Sequence, residues 1–203
     1  MVGLIHTFYQ LIFRRKGMMA FLFALICLSF TTIAQTDIPR IRELNNLSDS
    51  LVRMDALTAK LYAEEALSLS LKIKNDSLEY TSRFRKAIAN YFIGNLNVAL
   101  EDFIKNKKTA EKLKNPIKII ESLNAIGNVY KDIERNDMAL KTYQEALDIS
   151  YSIKNGAKVC LIESNVAIVL NQLKQYDSSL THCYRILNLL GKRKTESIFF
   201  LSM

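Results

Sequence analysis

Leu123 to Ile153 reads LNAIGNVYKDIERNDMALKTYQEALDISYSI, and two helical faces are visible in it. Leu123, Ile126, Gly127 and Tyr130 fall at i, i+3, i+4 and i+7, one face of a helix. After the polar break Glu134-Arg135-Asn136-Asp137, a second face follows with Ala139, Leu140, Tyr143, Ala146 and Leu147. The small residues Gly127 and Ala139 let two helix backbones approach closely. Tyr143 is the large side chain packed beside them, and Ala146 leaves room for a neighbouring unit.

The pattern recurs every 40 residues. Ala99, Ala139 and Ser179 are equivalent, each followed by leucine, and so are Ala87, Gly127 and Ala167. Phe103, Tyr143 and Cys183 hold the bulky position. An earlier copy is clearest in Glu65 to Asn75, which matches Glu145 to Asn155 in seven of eleven positions. A fixed period of this length marks a stacked array. The expected units are 40–79, 80–119, 120–159 and 160–199. Their second helices run toward Lys74, Lys114 and Lys154, where the helix dipole favours a cation. Asn75, Asn115 and Asn155 follow as turn and cap residues that end one helix before the next starts, and Pro116 reads as a first helical residue behind its cap Asn115.

At Gly127, Tyr130, Ala139, Tyr143 and Ala146 the chain resembles the tetratricopeptide repeat (TPR) family, over roughly residues 40 to 199. The other copies depart: Asn90 and Leu170 replace the tyrosine, and Asn106 and Ile186 replace the last alanine. The usual repeat has about 34 residues, so a period of 40 implies longer helices. The resemblance implies an all-α, right-handed superhelical solenoid of stacked helix-turn-helix repeats. It assigns repeat packing to Ala99, Phe103, Gly127, Tyr130, Ala139, Tyr143, Ala146 and Ala167. It also implies a concave groove lined by first-helix residues, here Phe84, Ile88 and Tyr91, then Asn124, Asn128 and Lys131, then Ser164, Ile168 and Asn171. Phe84, Ile88 and Tyr91 read either as contacts to the preceding unit or as an open apolar patch for a peptide. Asn124 and Asn128 can hold an extended peptide backbone, since each amide donates and accepts. One branch of the family grips a terminal carboxylate with a lysine–asparagine clamp. Here Asn124 stands where that lysine belongs, so the clamp is not expected.

The 203 residues, 49% hydrophobic and 24% charged, suit one folded domain. Six glycines, two prolines and no tryptophan fit an all-helical chain better than a β sandwich. The first 34 residues differ from the rest. They contain no acid, and Arg14-Arg15-Lys16 precede the apolar run Met18 to Phe30 and the small-residue stretch Thr31 to Ala34. This reads as a secretory signal peptide over 1–34, with a leader over 35–39. An uncleaved N-terminal anchor is the rival, although the run is shorter than the ~20 residues a spanning helix needs. Cleavage removes three of the positive charges behind the net charge of +8. The expected location is exported and periplasmic, or membrane-anchored with the repeats outside the cytoplasm.

No catalytic constellation, metal spacing or glycine-rich phosphate loop is present, so no cofactor and no enzymatic activity are expected. His6 lies in the leading segment, and His182 reads as a surface or packing residue. Cys160 and Cys183 are offset too far along antiparallel helices for a disulfide. Cys183 is expected in a core position and Cys160 as a free or buried thiol. The lysines at 105, 107, 108, 112, 114 and 118 read as a solvated outer face; the sharper reading is contact with an acidic partner or anionic lipid. Nucleic acid is not expected, because the run lacks aromatic stacking partners.

The expected function is a non-enzymatic exported scaffold that binds a protein or peptide through its groove. The alternative is the extracytoplasmic sensor region of a larger bacterial signalling protein, such as a histidine kinase or transcription regulator. By the period, a fifth unit opens near residue 200, at the apolar end Ile198-Phe199-Phe200-Leu201. No polar closing helix precedes it, so a fragment or self-association through an uncapped end is expected.

Overall fold

The computed structural model describes residues 37–201, with side chains described as far as Gly191. Among the described residues there are eight helices and no strand. They are α1 (37–51), α2 (Ala56–Lys72), α3 (Asp76–Ile93), α4 (Leu96–Lys112), α5 (Pro116–Asp132), α6 (Asn136–Ser152), α7 (Gly156–Gln172) and α8 (Tyr176–Leu201). They form four antiparallel pairs, each helix packing on the next, which is a TPR-like α-solenoid. The expected signal peptide, the N-terminal anchor and residues 35–36 of the leader lie outside the described residues. Residues 37–39 belong to α1, and Pro39 sits where a helix tolerates the missing N–H.

The turns explain the regularity. Lys74, Lys114 and Lys154 between pairs, and Gly94, Glu134 and Lys174 within pairs, all adopt left-handed φ values, from 50° at Lys114 to 92° at Gly94. Each donates its N–H three residues back, and the next residue donates five back, as in Asn115 N to Ala110 O at 3.1 Å. This double bond pattern closes the last turn of a helix on a left-handed residue. The asparagine that follows each inter-pair lysine then caps the next helix. Asn75 accepts from Leu78 N at 3.0 Å, Asn115 from Lys118 N at 3.1 Å and Asn155 from Lys158 N at 3.1 Å. One junction thus satisfies carbonyls of the departing helix and amides of the arriving one. The lysines therefore do more than meet a helix dipole, because they also occupy the left-handed position.

The phase follows from these turns. Residues 76–79, 116–119 and 156–159 open first helices, so each pair begins about four residues ahead of boundaries drawn at 80, 120 and 160. The far end also differs from expectation. Helix α8 runs unbroken from Tyr176 to Leu201, with no turn between residues 191 and 200. Residues 192 to 200 contain no glycine, asparagine or proline to stop it.

The best-packed pair is α5–α6. Ala139, Tyr143 and Ala146 have no exposed surface, and Leu123 and Gly127 are buried with them. A Cβ added at Gly127 would stand 2.4 Å from Tyr143 Cε1, so glycine here is set by the tyrosine ring. In the preceding pair Ala87, Ala99 and Phe103 form the equivalent cluster, with Tyr130 of the next first helix packed against it. Ala167 is also buried. Cys183 is exposed rather than in the core, because among the described residues α7 is the helix packed on α8 and this face points away from it. Cys160 is half-buried, and both thiols are free.

Candidate functional site

First helices line one side of the stack, and a pocket of about 340 Å³ opens between them. Helix α3 supplies Phe84, Ile88, Tyr91 and Phe92. Helix α5 supplies Ile120, Glu121, Asn124, Ala125 and Asn128, and α7 supplies Lys158 and Leu161. Phe103 of α4 also reaches it, its ring meeting Phe84 edge-on at 5.3 Å. The hydrophobic pattern of α3 turns Phe84 and Tyr91 inward and leaves Phe92 at the exposed rim, while the i, i+4 spacing of Asn124 and Asn128 aligns both amides along α5.

The polar groups are held in place. Asn165 Nδ2 donates to Asn124 Oδ1 at 2.6 Å, and the Tyr143 hydroxyl donates to Asn128 Oδ1 at 2.6 Å. Each oxygen is thereby engaged, and each NH2 group remains available to a ligand. Lys158 Nζ meets Glu121 Oε1 at 2.8 Å across two first helices. The Tyr91 hydroxyl donates to the Asp132 carboxylate, and its pKa is pushed up to about 12, by burial first and then by that bond. The pocket is thus apolar, electrically balanced by the Lys158–Glu121 pair, and supplied with two oriented amide donors.

Of the groove residues expected from sequence, the structure brings together Phe84, Ile88, Tyr91, Asn124 and Asn128. Lys131 pairs with Asp132 at 3.2 Å, and Ser164, Ile168 and Asn171 lie outside the pocket lining. Sequence reasoning missed Phe92, Ile120, Glu121, Ala125, Lys158 and Leu161. Glu121 and Leu161 were findable, since each lies three residues before a groove position and they are equivalent under the 40-residue period.

The basic stretch is largely spent on internal pairs. Lys107 binds Glu145 at 2.6 Å, Lys112 binds Asp76 at 2.7 Å, and Lys105 stands 4.0 Å from Glu101. Lys118 lies over the Tyr80 ring at 4.5 Å, where burial lowers its pKa. The solvated-face reading fits this pairing better than a basic docking surface does.

A second polar cluster lies in the last pair. Glu163 is wholly buried and accepts from the Tyr151 hydroxyl at 2.8 Å. His182 Nδ1 bonds its other oxygen, and Arg185 Nη1 stands 3.7 Å away. His182 is therefore half-buried and tied to α7, a packing role with a specific partner. Among the described residues no group of three or more histidines, cysteines or acids is placed to hold a metal ion. None of the described helices is long and apolar enough to cross a membrane.

No protein-family model and no curated protein matches the sequence. Solved structures do match in fold. A signal transduction ATPase with numerous domains from Pyrococcus horikoshii, which carries a tetratricopeptide repeat sensor, aligns with a TM-score of 0.69 at 18% identity, over 79% of this chain and 25% of that one. Aspartyl phosphate phosphatase F from Bacillus subtilis aligns with a TM-score of 0.71 at 15% identity, over 81% of this chain and 43% of that one. A Rap protein complexed with competence and sporulation factor aligns with a TM-score of 0.69 at 13% identity, over 77% and 45%. The chain therefore spans between a quarter and less than half of these proteins. At such identities the likeness establishes the TPR-like fold.

Proposed function

We propose that this chain is a non-enzymatic scaffold that binds a protein or peptide partner on its concave side, at the pocket between α3, α5 and α7. The observation that carries this reading is the pairing of an apolar pocket with the amide donors of Asn124 and Asn128. Four residues of helix advance about 6 Å. Two residues of an extended chain advance about 6.6 Å. The two NH2 groups thus match alternate carbonyls of an extended peptide lying along α5, and a bulky apolar side chain enters between Phe92 and Leu161. A groove already built by neighbouring helices lowers the ordering cost of binding. The Rap protein complexed with competence and sporulation factor offers a parallel case on the same fold.

The test is selection of displayed peptides on the immobilised chain, followed by calorimetry of the enriched sequences. Enrichment of a bulky apolar residue is expected, with at least a tenfold affinity loss in Phe92→Glu and in Leu161→Glu. Both side chains are exposed, so these variants keep their helicity. Binding by both variants as tight as by the unaltered chain overturns the reading.

Export is the second part of the proposal. It rests on Arg14-Arg15-Lys16, the apolar run Met18 to Phe30 and the small residues before Gln35. In a Gram-negative host the chain is expected in the periplasm, beginning at Gln35. Intact chain in the membrane fraction would establish the anchor instead, and intact chain in the cytosol would remove both. An input region of a larger signalling protein is favoured by one observation, the likeness to a protein that carries a TPR sensor.

A further inference from the structure

We propose that the exposed stripe of α8 is a dimerisation face, and that its occupant is α8 of a second copy of this chain, antiparallel and centred on Cys183. Helix α8 shows three faces as far as Gly191. Ser179, His182, Ile186 and Leu189 are its least exposed side chains and turn toward α7, where Ser179 bonds Ala167 O at 2.9 Å and Leu189 packs on the core. Ser178, Thr181, Arg185 and Asn188 make a polar face. Between them run Tyr176, Leu180, Cys183, Leu187 and Leu190, spaced four, three, four and three, with Tyr184 alongside. The five large side chains of this stripe are between 49% and 61% exposed.

The rest of the array shows what such a stripe is for. One period earlier the same positions are Asn136, Leu140, Tyr143, Leu147 and Ser150 of α6. Tyr143 and Leu147 are buried in one cluster with Val159, Ile162 and Val166 of α7, and Ser150 is buried as well. The α8 stripe has the spacing of a helix-pairing seam and no covering helix among the described residues.

A second copy fits because the stripe is nearly palindromic. Tyr176 and Leu190 lie seven residues on either side of Cys183, and Leu180 and Leu187 lie three before and four after it. Two-fold antiparallel pairing therefore sets Leu180 against Leu187 and Tyr176 against Leu190, twice over. Cysteine replaces the Phe103 and Tyr143 of earlier pairs and leaves a notch on the two-fold axis, where the helices come closest. Tyr184, one residue on, covers the notch of the other copy. The stripe carries no charged residue at any of these positions. Tyr176 to Leu190 spans about 21 Å at 1.5 Å per residue. A seam of that length and one helix wide falls short of the roughly 800 Å² per partner of a standard interface, so the dimer is reversible and concentration-dependent.

The experiment uses the full chain with Cys27→Ser and Cys160→Ser, leaving Cys183 as its one thiol. Sedimentation velocity across a micromolar series and mild copper-catalysed oxidation are read together. A concentration-dependent dimer that closes a Cys183 disulfide is expected, with at least tenfold weaker association in Leu180→Glu/Leu187→Glu. Both positions face solvent, so helicity is retained; Leu187→Lys alone gives the same direction if the double variant loses helix. The leading segment is present in every sample, so the difference reads α8. A monomer throughout, as expected if another chain or segment covers the stripe, overturns the proposal. So does a dimer that survives the double variant or fails to cross-link at Cys183.

Discussion

The pairs α5–α6 and α7–α8 share a first helix of 17 residues and a left-handed turn yet differ at their centres. At one position of the repeat, the first has Leu123, buried in an apolar cluster, and the second has Glu163, buried equally deeply. Arg83 holds the same position in α3 and pairs with Glu79 at 2.8 Å. Leu123 is stabilised by removal from water alone. Glu163 is tolerated only because Tyr151, His182 and Arg185 surround it from α6 and α8. The opposite face differs too, with Tyr143 filling the joint of one pair and Cys183 lying exposed in the other. The stack specifies where a side chain sits and how deep; what may sit there depends on the donors that neighbouring helices supply.

The sharpest way to break the apolar pair is Ala139→Arg. A guanidinium has neither room nor partners at a fully buried helix contact, and a loss of about 4 kcal/mol or more is expected. Thermal melting by circular dichroism checks it, and an unchanged melt removes Ala139 from the helix contact. Transplanting the carboxylate comes next. Leu123→Glu puts a charge where no Tyr151–His182–Arg185 equivalent converges, for an expected loss of about 3–4 kcal/mol in urea unfolding. Gly127→Ala sets a methyl against the Tyr143 ring and should cost about 1–3 kcal/mol, and Tyr143→Leu on the same chain should recover part of it.

Alkali probes the polar pair. The Tyr151 hydroxyl is pushed from 10.0 up to about 12, by burial first and then by its bond to Glu163. The folded state therefore holds a proton that the unfolded state releases, so this contribution is complete below pH 10 and is lost as pH rises toward about 12. Tyr151→Phe should flatten that part of the stability profile, and an identical slope in both proteins would refute the assignment. The smallest effect is expected for Glu163→Leu, which makes the last pair resemble its neighbour. Exchanging a buried, paired carboxylate for a close-fitting apolar side chain should leave stability within about 1 kcal/mol, in contrast to the reverse change at Leu123.

The same contrast explains what could be read from sequence. Ala99, Gly127, Ala139 and Tyr143 announce themselves because size at a close helix contact is a local requirement repeated at a fixed spacing. The asparagines at 75, 115 and 155 are equally legible, since a cap bonds within three residues of itself. Glu163 reads as a surface charge until the donors at 151, 182 and 185 converge on it. Lys158 and Glu121, 37 residues apart, meet only because the stack places α5 beside α7. In the pocket, Phe84, Ile88, Tyr91, Asn124 and Asn128 were reached through the family resemblance, which places groove residues on first helices. Lys131, Ser164, Ile168 and Asn171 lie on matching positions, but the pocket closes before it reaches them. The position of Cys183 was misread because its burial depends on a covering helix rather than on its own pair.

The left-handed residues at the helix junctions have a genetic consequence. Lys74, Lys114 and Lys154, with the asparagine after each, recur forty codons apart. Any duplication or deletion of forty codons, wherever in the cycle it begins, joins a helix to its correct successor and restores an intact junction. The gene can therefore lengthen or shorten by recombination at many break points with its helix junctions intact, provided that the join keeps buried partners such as Tyr151 and Glu163 together.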